Sequence, residues 1–112
     1  MTEQPNLFER NADAPIVEKV LLYALGDFQS RGLTLAEREL PLDRLRGAFK
    51  RAADKFGSEE FSDEKLAENL GKLGAKVTKV PSYVAKHPFR ITISTNLAAK
   101  AKDFYQSSQN DD

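Results

Sequence analysis

The chain has no cysteine, no tryptophan, one methionine and one histidine. Without cysteine there is no disulfide, no thiolate nucleophile and no thiolate metal site. A lone His87 would need carboxylates for every remaining ligand, and none lies near it in sequence. Neither a metal nor a cofactor is therefore expected. There is no phosphate-binding P-loop and no GxGxxG. The carboxylates fall mostly on helix faces interspersed with bases, and no serine or histidine has a recognisable partner arrangement. An enzyme is not expected. The longest apolar run, Val20 to Leu25, is far too short to span a bilayer. The polar, acidic start from Met1 to Asp13 reads as neither a signal nor a transit peptide. A cytoplasmic protein is the expectation, with no membrane partner.

What the chain does have is an uneven distribution of charge. Its 112 residues, enough for one domain with its own core, carry 17 basic and 17 acidic side chains and so no net charge. Yet Lys72 to Lys102 holds seven bases and no acid. Residues 1–61 sum to −2, residues 62–102 to +5 and residues 103–112 to −3. A basic segment inside a neutral chain is the footprint of a surface that meets an anion, although an ordinary solvated surface can also produce one.

Hydrophobic spacing predicts the elements. After Asp13 and Pro15, which suit a helix start, Val17, Val20, Leu21, Ala24, Leu25 and Phe28 recur at helical intervals up to Gly32. Residues 33–40 read as a connection containing one helical turn or a short strand around Leu33 to Leu35. Thr34 and Glu37 have capping-box spacing. Pro41 then restarts a helix, with Leu42, Leu45, Phe49, Ala52, Ala53 and Phe56 on one face and Gly57 at its end. Ser62 caps a third helix that has Asp63 and Glu64 in its first turn, a Leu66, Leu70 and Leu73 stripe, and Gly74 as its stop. Residues 75–80 read as a strand. Pro81 to Pro88 is a loop, and Phe89, Ile91 and Ile93 alternate with Arg90, Thr92 and Ser94 in a second strand. Thr95 or Asn96 caps a last helix, with Leu97, Ala101, Phe104 and Tyr105 as its stripe. Residues 1–13 and 107–112 lack an apolar pattern and read as flexible tails around one domain at 14–106.

The expected class is α+β, mostly α. Three helices followed by a β-hairpin, over Pro15 to Ser94, resemble the winged helix-turn-helix superfamily. The run from Ser62 to Val80, a capped leucine helix with a glycine stop and an immediate basic strand, is similar to that superfamily's recognition helix and first wing strand. The resemblance implies binding to double-stranded DNA and a role in transcription regulation. It places the third helix in the major groove and the wing on the backbone. The residues it singles out are Lys65, Asn69, Lys72 and Lys76, then Lys79, Lys86, His87 and Arg90 on the hairpin. Arg44 and Arg51 of the second helix are further phosphate candidates. Taken singly, each helix residue is accounted for by a solvated helix face, and intrahelical pairs such as Arg51 with Asp54 account for the second helix. The acids Asp63, Glu64 and Glu68 repel phosphate where such a helix usually meets bases. DNA contact is therefore expected to shift toward the helix end and the hairpin, with phosphates dominating.

Two other readings stay open. Gly71-Lys72-Leu73-Gly74 matches the GxxG of KH domains, but a strand rather than a helix is expected after it. A winged-helix module that docks on a protein instead of DNA would explain the acidic start of the third helix and the neutral charge. The last helix is either a homodimer surface or packs back on the first helix.

Overall fold

The computed structural model describes residues 13–81, 83 and 88–111. Among these residues the chain is α+β and mostly helical, with four α-helices and one three-stranded antiparallel sheet. Helix α1 spans Asp13–Ser30. Strand β1 (Glu39–Pro41) leads through a 3-10 turn (Leu42–Leu45) into α2 (Arg46–Lys55). Helix α3 (Asp63–Lys72) precedes β2 (Lys76–Lys79) and β3 (Phe89–Thr92), and α4 (Thr95–Asp111) ends the chain. Residues 1–12, expected as a tail, and the hairpin residues Lys86 and His87 lie outside the described residues.

Helix α1 is the axis of the core. Val17, Val20, Leu21, Leu22, Ala24, Leu25 and Phe28 are all buried. Burial on so many sides means that α1 is surrounded rather than lying on a surface. The apolar stripe of α4 packs back on α1, with Leu97, Ala98 and Ala101 buried. The helices touch most closely at Gly26, where a Cβ would stand 2.3 Å from Tyr105 Cβ and 2.6 Å from the Ala101 carbonyl oxygen. Alongside, Gln29 Nε2 donates to the Ala98 carbonyl at 2.9 Å. Tyr23 contacts both Phe56 and Tyr105 at ring-centroid distances of 5.6 and 4.9 Å, joining α1, α2 and α4 in one aromatic cluster.

The sheet order is β1-β3-β2. Leu40, Ile91 and Val77 form one cross-strand row facing the helices, of which Leu40 and Ile91 are fully buried. The outward rows are Glu39, Thr92 and Lys76, and Pro41, Arg90 and Thr78. Val80 N–H donates to the Pro88 carbonyl at 2.9 Å, which fixes the ladder phase. Counting back in twos, Thr78 and Lys76 bond toward β3, while Val77 and Lys79 turn their amide groups away from it. The same alternation turns Pro41 away from β3, so its missing N–H costs no ladder bond.

Five local expectations are corrected. The short strand lies at Glu39–Pro41, not at Leu33 to Leu35, because Leu40 supplies the third member of the buried sheet row. Pro41 consequently ends that strand, and a 3-10 turn precedes the helix it was expected to start. Glu37 does not cap a local helix: with φ of 59° it pairs its N–H with the Ile93 carbonyl. Its carboxylate instead accepts from Thr95 N–H at 2.9 Å and Thr95 Oγ1 at 3.2 Å, at the start of α4. Ser94, rather than Thr95 or Asn96, supplies the side-chain cap, accepting from Leu97 N–H at 3.1 Å. Helix α4 also runs through residues 107–111, which the sequence pattern assigns to a tail. Tyr23 Oη donates to Gln109 Oε1 at 3.3 Å there, tying the polar last turns to α1.

The ends of α2 and α3 match expectation. Ser62 Oγ accepts from Lys65 N–H at 3.2 Å. Gly57 and Gly74 take φ of +65° and +106°, where glycine closes a helix without a Cβ penalty. Gly74 N–H and Ala75 N–H donate to the Gly71 and Leu70 carbonyls, both at 3.0 Å.

In an exposed helix Gly→Ala gains about 1 kcal/mol of propensity. At Gly26 the methyl meets a carbonyl oxygen and a Cβ that cannot rotate away, and overpacking of that kind costs about 1–3 kcal/mol or more. Gly26→Ala is therefore expected to lower unfolding stability by about 2 kcal/mol, read as a lower urea midpoint. An unchanged or raised midpoint would refute the close approach. Glu37→Ala removes the carboxylate at the start of α4 and is expected to cost about 1 kcal/mol in the same assay.

Candidate functional site

The bases of the acid-free segment that follow Lys72 are spread by the fold over three surfaces among the described residues. Lys76 and Arg90 belong to the outward sheet face with Thr78 and Thr92, in adjacent rows of neighbouring strands. Glu39 is the acid at the β1 end of that face. Lys79 lies on the opposite side of the pleat near the hairpin loop, with Nζ 5.4 Å from the centroid of the Phe89 ring. Lys100 and Lys102 sit on α4, where Lys100 Nζ lies 3.8 Å from Glu18 Oε2.

Helix α3 is less basic than its candidates suggest. Leu66, Ala67 and Leu70 bury one face. Glu64, Lys65, Glu68 and Lys72 occupy the exposed face, two of each sign. Lys72 Nζ lies 3.6 Å from Glu68 Oε2 one turn back, an exposed pair whose attraction water largely screens. Lys65 Nζ lies 5.0 Å from the centroid of Phe61. Asn69 is half-buried in the groove between α1 and α3, beside Glu18, Leu21 and Leu73. Its Nδ2 donates to the Lys65 carbonyl at 2.8 Å. That bond holds one of the two Asn69 amide hydrogens on its own helix. Gly71 to Gly74 is the end of α3 and its glycine stop, with a strand following it, unlike a KH loop between two helices.

The arginines of the 3-10 turn and α2 divide by role. Arg44 is exposed in the 3-10 turn. Arg46 Nε lies 3.2 Å from Asp43 Oδ1 and Nη2 lies 2.7 Å from Asp63 Oδ1, linking the starts of α2 and α3. The hydrogen bond that Arg46 donates to Asp43, with the charge of Asp63 adding to it, raises the Arg46 pKa against the opposing effect of burial. Arg51 pairs not with Asp54 but with Asp27 of α1, Nε to Oδ2 at 2.6 Å. Arg31 Nε holds the other carboxylate oxygen at 3.1 Å. Asp27 is the buried charged side chain among the described residues, 3% exposed. Sequence reasoning missed it because Asp27 and Arg51 are far apart in the chain. The signal was an acid set between Gly26 and Phe28, at the end of the apolar run of α1.

No cluster of three or more potential metal ligands is present among the described residues. The crevice lined by Val20, Phe49, Phe61 and Leu66, beneath the Arg46–Asp63 pair, encloses about 10 Å³, room for roughly one water. Among the described residues no helix is long and apolar enough to cross a membrane.

Removing Arg51 leaves the buried Asp27 carboxylate with a single, half-exposed partner. Arg51→Ala is expected to cost about 1–3 kcal/mol of unfolding free energy, measured by urea denaturation. Were Arg51 chiefly a phosphate ligand, the same substitution would leave stability unchanged. No protein-family model, curated protein or solved structure matches this chain.

Proposed function

We propose that the chain is a winged-helix protein that binds double-stranded DNA through its phosphates, with the basic face of the sheet and hairpin as the contact surface and transcription regulation as its role. The element order supports the winged-helix reading: a short strand between the first two helices joins the hairpin to give sheet order β1-β3-β2. The observation that carries the binding reading is the register that sets Lys76 and Arg90 diagonally on one outward face with two threonine hydroxyls. Lys79 adds charge near the hairpin loop. The charge-balanced exposed face of α3 favours backbone contact over base reading, so weak sequence preference is expected. That same neutral face is the specific observation behind the second reading, a winged-helix module that docks on a protein.

Fluorescence anisotropy with a mixed-sequence duplex tests the proposal. Neutralising three phosphates, through Lys76, Lys79 and Arg90, gives a salt slope near −2.7 and about a forty-fold loss of affinity between about 50 and 200 mM salt. Lys76→Glu with Arg90→Glu should remove most low-salt binding in protein that circular dichroism shows to be folded. No low-salt binding at tens of micromolar protein, or binding indifferent to the double reversal, would overturn the phosphate surface and leave the protein-docking reading.

A further inference from the structure

The two edges of the sheet are unequal. On β1 the outward edge is three residues long and has no donor at Pro41. On β2 the ladder phase turns the N–H and C=O of both Val77 and Lys79 outward, and among the described residues no strand lies beyond them. Such a row of backbone groups is a template for one more strand. The side chains along it specify what that strand must be. Val77 is half-buried on the helix-facing side, and its Cγ2 lies 4.0 Å from where a Cβ on Gly71 would stand. Lys76 and Lys79 are exposed, one on each side of the pleat.

We propose that the free edge of β2 is a docking site for an extended acidic peptide of a protein partner, added as a fourth, antiparallel strand. Opposite Val77 the peptide carries an apolar residue, which extends the Leu40, Ile91 and Val77 row. One residue further along it carries an acid opposite Lys76. Two residues before the apolar position it carries a second acid opposite Lys79. The recognised pattern is therefore acid, any residue, apolar residue, acid. Charge also decides against a second copy of this strand, because pairing β2 with β2 gathers four lysines in one ribbon. An acidic strand turns the same lysines from a guard into a selector. The proposal concerns backbone groups that DNA contact does not use, and it stands or falls separately from the duplex reading.

The test is amide hydrogen exchange on the isotopically labelled full chain, with the end-blocked peptide Ser-Glu-Thr-Val-Glu-Ser at about 1 mM, a concentration that detects weak association. Exchange at the Val77 and Lys79 amides should slow, while that of Thr78, already bonded to β3, should stay as it was. The peptide with both Glu replaced by Lys should slow neither. In the Lys76→Glu, Lys79→Glu variant the preference should invert, with the acidic peptide weakened by about tenfold for two lost ion pairs. Unchanged exchange at Val77 and Lys79 overturns the proposal. So does peptide binding that follows charge but leaves those two amides unprotected, since that is adhesion without strand addition.

Discussion

At Gly26 the backbone of α1 comes so near to α4 that even a methyl group would overlap the Ala101 carbonyl and the Tyr105 Cβ. That approach lets α4 lie along α1 rather than beside it. With the helices this close, Gln29 reaches the Ala98 carbonyl, and Tyr23 meets Tyr105 and Gln109. Helix α4 thereby closes one side of α1, while α2 closes another through Asp27–Arg51 and the Tyr23–Phe56 contact. Its apolar stripe is consumed in that packing. A homodimer through α4 would have to use the outer residues, such as Lys102 and Asp103, which carry opposite charges and no apolar patch.

The fold partly undoes the charge segregation seen in the sequence. Lys100 meets Glu18 from the acidic half of the chain, and Lys72 meets Glu68 just before its own segment. Arg51, a phosphate candidate by composition, is held by a buried carboxylate, and Arg46 is shared between two others. Lys76, Lys79 and Arg90 are gathered on the neighbouring strands β2 and β3. Exposed ion pairs are worth little in stability, but they still cancel long-range field. The basic surface is therefore smaller than a count from Lys72 to Lys102 suggests.

Local chemistry was legible wherever it was strong. Ser62 as a cap, Gly57 and Gly74 as stops, and the alternation of Phe89, Ile91 and Ile93 all act within a few residues, so periodicity and capping rules reach them. The misreadings fall where a distant partner overrides a local rule. Glu37 has capping-box spacing, but the donor it satisfies belongs to Thr95. Pro41 suits a helix start, but the pairing of Leu40 with Ile91 draws it into a strand whose outward edge tolerates proline. Asp27–Arg51 and Gly26–Tyr105 depend on how helices cross, which spacing along one helix does not encode. For the candidate site, the sequence located the basic residues but not their faces. Lys76 and Lys79 look alike in a list, yet the pleat separates them.

That separation bears on what the hairpin can recognise. A duplex presents phosphates to one surface, and the outward face offers Lys76 and Arg90 to it, with Lys79 placed only near the loop. A strand laid along the edge presents side chains to both faces of the sheet at once, and so meets Lys76 and Lys79 together while filling the row beside Val77. Phosphate contact leaves the outward amides of Val77 and Lys79 to water, whereas strand addition satisfies them. The two proposals therefore ask different things of the basic hairpin, one charge on a face and the other backbone groups on an edge. Only the second accounts for why the open edge lies on β2 while the edge of β1 is closed by proline.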